Sequence, residues 1–350
     1  MYIILAILIF GLLIVVHEFG HFITAKLCGV KVNEFAICMG PALLQKTIGE
    51  TTYSLRCLPI GGYCAMEGEN DESADPRAFI NQSWWKRLLI LCAGAAANFL
   101  TGVLILLILF GSAEGFTTAV ISDFFEGCPL DCEEVLQRGD EICKVDGKQV
   151  YIFSDLSLLL ERKAGGTHDL TIRRNGEIIE LKDIDIRLQT YIIDGQQVQK
   201  YGLYFSSTSN SPALTVRYAV GTAIDFGRMV LYGLEDLIRG TASVSEVSGV
   251  VGIVSAINES GQEAQTRAEG VENVFYFGAF LAVNLAFMNM LPIPALDGGH
   301  VFCLLITTLI ETISHKKVDP KYEGYIHAGG MVVLLILIGL VTVKDIVSLF

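Results

Sequence analysis

An unbroken apolar run from Met1 closes on Val15-Val16-His17-Glu18-Phe19-Gly20-His21, and no other feature of this chain limits its fold so sharply. A helix turns about 100° per residue, so His17 and His21, four residues apart, land on one face, as two ligands of a single metal must. Glu18 is the next residue round. It stands beside the histidines but off their line, where a general base would hold a metal-activated water. Ionisable side chains inside a membrane helix cost at least about 2.5 kcal/mol each and are retained mainly for function. Two core histidines and a helix-facing glutamate of an ordinary soluble protein leave that apolar setting unexplained.

The remaining composition agrees with a membrane setting. A hydrophobic share of 52% and a mean hydropathy of +0.50 over 350 residues are too high for a soluble fold. The net charge of -13 excludes a nucleic-acid binder, which needs basic stripes, and implies no polyanionic partner. Nine cysteines without a C-x-x-C pair give neither a disulfide framework nor a Cys-type zinc site. Cys128 and Cys132 are close enough in sequence to meet, and two free thiols account for them equally well.

Met1 to about Leu27 reads as a first transmembrane helix, since no cation precedes it and no small-residue cleavage site follows, as a signal peptide requires. Cys28 to Ser83 alternates in short stretches such as Thr51-Thr52-Tyr53-Ser54-Leu55-Arg56, which predicts a β-rich loop at the membrane, with Glu67 to Asp75 a solvated connection. Trp84-Trp85-Lys86-Arg87 sets interfacial aromatics and cations before a second span, Leu88 to Phe110. Its one strongly polar side chain is Asn98, in Gly94-Ala95-Ala96-Ala97-Asn98. The small residues invite another helix to approach, and the amide serves either helix association or the site.

From about Gly115 to Ser207 the chain is polar and reads as a compact α+β module, with a strand at Thr117 to Phe124, a helix at Leu156 to Lys163 and a hairpin turn at Asn175-Gly176. Gly139-Asp140-x-Ile142-x-x-Val145-Asp146-Gly147 resembles the central signature of PDZ domains. Pro212 to Gly240 carries too many charges for a span and reads as an amphipathic helix at the membrane surface. Ser248-Gly249-Val250-Val251-Gly252 separates it from a third span, Val271 to Leu291, and Gly329 to Val347 gives a fourth.

The fold class expected is a polytopic α-helical membrane protein with four transmembrane helices, an inserted PDZ-like domain and a membrane-associated β-loop. Its divisions are 1–112 for the first membrane half, 113–207 for the PDZ-like domain, 208–245 for the surface helix and 246–350 for the second membrane half. Lys26, Lys31, Lys46, Arg56, Arg77, Lys86 and Arg87 flank the first loop, and Lys316, Lys317 and Lys321 lie between the last two spans. Cations mark cytoplasmic loops, so the PDZ-like domain is expected outside and the His17 end of its helix toward the cytoplasm.

The third span runs into Asn289-Met290-Leu291-Pro292-Ile293-Pro294-Ala295-Leu296-Asp297-Gly298-Gly299-His300. Such a break at membrane depth is tolerated only where protein buries it or it lines a cavity, and an aspartate within it is a functional candidate. A catalytic zinc needs three protein ligands and an open position. Glu34, the nearest acid after the histidines, lies beyond their helix in the β-rich loop. Asp297 is the better third ligand because it is expected at the same cytoplasmic depth on another helix, and His300, three residues on, is the runner-up.

The His-Glu-Phe-Gly-His motif, Asn98, the PDZ-like module and the Asn289 to His300 stretch together resemble the site-2 protease family, in particular its RseP-type regulated intramembrane proteases, over essentially the whole chain. The resemblance implies that His17, His21 and Asp297 bind Zn(2+) and that Glu18 is the base. It implies that Asn98, Asn284, Asn289, Pro292 and Pro294 hold an unwound substrate, and that Gly61-Gly62-Tyr63 belongs to a β-loop pairing with substrate backbone. The chain departs from the family in having Ala95 where a proline is usual, and one PDZ-like module where some relatives have two. The implied activity is that of a multi-pass plasma-membrane metalloprotease cleaving a single-span regulator, such as an anti-sigma factor, after an upstream site-1-type protease has trimmed it. An intramembrane metal transporter is the rival, using the same ligands without need of Glu18, but the second span offers little polar path beyond Asn98.

Overall fold

The computed structural model describes residues 2–69, 73–132, 135–163, 166–193, 196–241, 250–262, 264, 266–315 and 321–348. Ser248, Gly249, Lys316 and Lys317 of the sequence reading lie outside them. The chain forms two compact units, one of Met1–Ile105 with Val230–Phe350 and one of Leu106–Met229.

The first unit begins with helix α1 (Tyr2–Leu27), whose buried residues Ala6, Ile9, Leu13, His17, Gly20, His21 and Ala25 recur every three or four positions. That spacing is one helical face. The other face exposes Ile4, Leu8, Leu12 and Phe19, an apolar surface suited to lipid. The chain then makes a long antiparallel hairpin of β1 (Val32–Ile48) and β2 (Thr51–Met66), so the β-rich loop is present as a two-stranded sheet. Glu67 is more than part of a solvated connection. Its carboxylate accepts from Lys31, Asn33 and Ser73, whose hydrogen bonds hold it at about 2, well below its usual range. Lys31 and Asn33 fasten the start of the acidic tract to the base of the hairpin, and Ser73 ties the tract to itself. Helix α2 (Trp84–Gly111) takes in the two tryptophans that the sequence reading put before the span.

The second unit holds β3 (Gly115–Phe124), β4 (Glu141–Val145), β5 (Lys148–Gln149), α3 (Phe153–Glu161), β6 (Thr167–Arg174), β7 (Glu177–Asp185), β8 (Gln189–Ile193), β9 (Gln196–Lys200), β10 (Leu203–Ser209) and the first part of α4 (Pro212–Arg239). Its antiparallel main sheet runs β10-β3-β4-β6-β7, with β5 on β4, and β8 pairs with β9 separately. Asn175 and Gly176 both take positive φ, 51° and 87°, as a two-residue turn between β6 and β7 requires. Asp140, from the glycine-aspartate signature, is fully buried and pairs with Arg174 through both carboxylate oxygens while capping the Gln137 N–H. Helix α3 starts three residues ahead of its predicted Leu156. Asp155 explains the shift, because its Oδ2 accepts the Tyr151 and Ile152 N–H groups that would otherwise be left bare at a helix start. Its Oδ1 meets Arg228 of α4 at 2.5 Å. Burial, with the Asp155 carboxylate nearby, pushes Asp225 on α4 up to about 8. Cys128 and Cys132 are free thiols.

The first unit resumes with α5 (Val250–Gln262), α6 (Arg267–Asn289), α7 (Asp297–Ser314) and α8 (Lys321–Ser348). Among the described residues three helices are long and apolar enough to cross a membrane: α1, α2 and α6. Over the expected fourth span α8 does form, but its apolar stretch, Glu323–Leu337, is shorter. No helix is expected from the sequence at α7, where Gly298-Gly299 reads as part of a break. A helix starts there because each glycine lies against the backbone of 290–294, where a Cβ would collide with carbonyl groups.

Candidate metal centre

Two apolar clusters grip α1 on either side of its histidines. One joins Ala6, Ile9 and Leu13 to Ile257, Val274, Leu281 and Ala282, and the other joins Ala25 to Val32, Phe35, Met66, Ile90 and Leu304. His17 and His21 are thereby held in the interior at 9% and 7% exposure. Helix α2 crosses α1 closely because both carry small residues. A Cβ at Gly20 would stand 2.5 Å from the Ala93 carbonyl oxygen, and one at Gly94 would collide with His21 Nε2 and lie 2.7 Å from His17 Cε1.

The third participant arrives from the far end of the chain. Asp297, the first residue of α7, sets Oδ2 at 3.1 Å from His17 Nε2 and 3.3 Å from His21 Nε2, and the two Nε2 atoms are 3.2 Å apart. His21 Nδ1 donates to the Ile90 carbonyl at 2.8 Å, which leaves the Nε2 of the neutral ring as a bare lone pair. Asp297 Oδ2 is buried without a hydrogen-bond partner. Acceptor atoms crowded face to face repel unless a cation lies among them. The three donors, all within 4.8 Å of one another, could hold a metal ion. Two imidazoles and one carboxylate with a further position open are the ligand type of catalytic zinc.

Asn98 and Asn289 close the site around His17. The Nδ2 of each lies 3.4 Å from His17 Nδ1, and the Asn98 Oδ1 is buried without a partner. Turning the Asn98 amide through half a turn lets that oxygen accept the Nδ1 proton, satisfies it, and leaves His17 Nε2 free. Glu18 faces the hairpin, where a Cβ at Gly62 would stand 3.3 Å from its Cγ. Gly61 beside it takes φ +79°, with Met39 packed where a side chain would go.

The other sequence candidates are placed apart. Asn284 is half-buried on α6, five residues and about 7.5 Å along the axis from Asn289. Pro292 and Pro294 lie in the turn before α7. Glu34 is engaged by Ser54 and Arg56, and His300 groups with Glu323 and His327 instead of with His17 and His21. Sequence reasoning took Gly94 for a point of helix approach, as it is, but missed that Ile90 and Gly94 act together. Spaced four apart with Asn98, they form a single stripe of α2 on which both histidines rest, and that periodicity was present to be read.

Comparison with known proteins agrees with this geometry. The model of peptidase family M50 matches residues 5–337. The chain is 35% identical to a candidate zinc metalloprotease of Clostridium acetobutylicum, with 99% of this chain and 97% of the relative covered. It is 35% identical to one of Clostridium perfringens, with 99% of each covered. It is 26% identical to the zinc metalloprotease RasP of Oceanobacillus iheyensis, with 98% of each covered. With a full-length match to the family and a zinc-type donor set at its centre, the chain belongs to peptidase family M50, the site-2 proteases, and is a zinc metalloprotease of the membrane.

Proposed function

We propose that the protein cuts a peptide bond within the transmembrane helix of a single-span membrane protein. What carries the reading is the convergence of His17, His21 and Asp297 on the buried face of a helix long and apolar enough to span the bilayer. In it His17, His21 and Asp297 hold the zinc, which when bound supplies Lewis acidity toward a carbonyl and makes water a nucleophile at neutral pH. Glu18 accepts the proton of the attacking water and returns it to the leaving amine. Asn98, at 1% exposure, keeps His17 oriented.

A helical substrate hides its carbonyls in its own hydrogen bonds, and the bilayer core offers no water to replace them. It must unwind locally before it is cut. Gly62, with no side chain between the strand and Glu18, and Gly61 beside it suit pairing with the freed backbone, Asn289, Pro292 and Pro294 flank the break that receives it, and Asn284 would hold the substrate from farther along α6. The test is reconstitution in vesicles with a panel of single-span proteins, using Glu18→Gln as control. If no member is cut by the zinc-loaded protein, or the control cuts equally well, the reading fails.

The topology proposed has α8 as a fourth span in the plasma membrane, the hairpin loop on the cytoplasmic side and the β3 to β10 unit outside, following the cation bias. In a cysteine-depleted background, single cysteines at Ser73 and Lys317 should be shielded from an impermeant thiol reagent in intact cells, while one at Asn175 should react. The reverse pattern would invert the topology.

The outer unit is in this reading a PDZ-like domain that limits access and takes no part in the chemistry. The substrate is a membrane-bound regulator, such as an anti-sigma factor, already trimmed outside by a site-1-type protease. Replacing 115–207 with a flexible linker should leave cleavage of a trimmed substrate intact and newly permit cleavage of an untrimmed one. Loss of the trimmed reaction in a folded, zinc-loaded protein would mean that the domain recruits the substrate instead.

A further inference from the structure

Ala295 adopts φ +76°, a left-handed conformation that L side chains rarely take, two residues before Asp297. Its N–H donates to His327 Nδ1 of α8 at 3.0 Å. Helix α8 comes close at this point because Gly330, three residues on, has no side chain; a Cβ there would collide with Pro294. The His327 ring is buried and stacks on His300, with centroids 3.5 Å apart and planes 4° from parallel. Glu323 Oε1 lies 3.5 Å from His300 Nδ1 and 3.9 Å from His327 Nε2.

Two imidazoles and a carboxylate raise the prospect of a second metal. The hydrogen bonding argues otherwise. Since His327 Nδ1 accepts the Ala295 N–H, the proton of the neutral ring sits on Nε2, the atom that would have to be the ligand. Parallel rings also aim their in-plane lone pairs side by side and not at one point.

We propose that His327 is a positioning residue for the metal centre. By accepting the Ala295 N–H it holds the left-handed turn that presents Asp297 to His17 and His21, with the stacked His300 ring steadying its own. The inference rests on the reading of Asp297 as a zinc ligand.

The test measures zinc affinity of the full chain in detergent by chelator competition, alongside cleavage. His327→Leu should weaken zinc by about 10–100-fold, the usual cost of losing an outer partner of a ligand. His327→Asn, whose Oδ1 occupies the place of Nδ1, should keep most of the affinity, and His327→Gln, whose amide reaches the Nε2 position, should not. Glycine takes positive φ unaided, so Ala295→Gly should restore part of the loss in His327→Leu. If the leucine variant does not fold, the asparagine and glutamine variants decide. Equal impairment of those two, no recovery with Ala295→Gly, or a second zinc per chain that disappears in His300→Ala would overturn the proposal. Zinc retained at full affinity by Asp297→Ala would sink the ligand reading and this inference together. Zinc lost by Asp297→Ala but held at full affinity by His327→Leu would sink this inference alone.

Discussion

Glu18→Gln keeps its zinc and loses cleavage by about 10²–10⁴-fold, the range that a positioned acid or base contributes. The amide has nearly the shape of the carboxylate, so it fits the same space beside Gly62. What it lacks is a site to accept a proton from water. Zinc content should not change, because Glu18 lies outside the group of three donor atoms. Elemental analysis and a cleavage assay on one preparation check both halves. Full activity in a zinc-loaded Glu18→Gln would remove the protease mechanism, since the rival intramembrane transporter needs the ligands and not the base. Loss of zinc together with activity would make Glu18 a ligand.

Asp297→Ala should lose most of its zinc, by more than the about 10–100-fold that losing an outer partner costs. Its carboxylate is the sole anion of the donor group, and its Oδ2 lies 3.1 and 3.3 Å from the two imidazole nitrogens. Without it two neutral nitrogens remain, short of the three protein ligands that a catalytic zinc site uses. Elemental analysis of purified protein measures the loss. Zinc retained in Asp297→Ala but missing from His300→Ala would transfer the third ligand to His300.

Much of the centre was legible because its first half is local. His17, Glu18 and His21 lie within five residues of one helix, so their mutual placement follows from helical geometry and the apolar run around them. Glu18 beside the ligands but not among them needed nothing more. The turn at Asn175-Gly176 and the strand from Thr117 were likewise readable, because residue chemistry and alternation act over a few positions. The start of α7 was not, since Asp297-Gly298-Gly299 reads as an interruption until the glycines are seen against the backbone of 290–294.

What could be read along the chain was a helix with two histidines on one face and a base beside them, an apolar chain around it, and a broken span that offers Asp297 ahead of His300 as the third partner. It took the folded structure to show Asp297, and not His300, beside the two histidines. Asp297 and His300 are three residues apart on α7, but the first meets α1 while the second stacks on His327 of α8. Tertiary packing also set Gly94 and Asn98 of α2 around the histidines and bound Ala295 to α8. The physical reason is range. Propensity and periodicity act within one element, whereas a centre assembled from residues 17, 98 and 297 depends on which faces of separate helices can approach, and small residues far apart in sequence govern that.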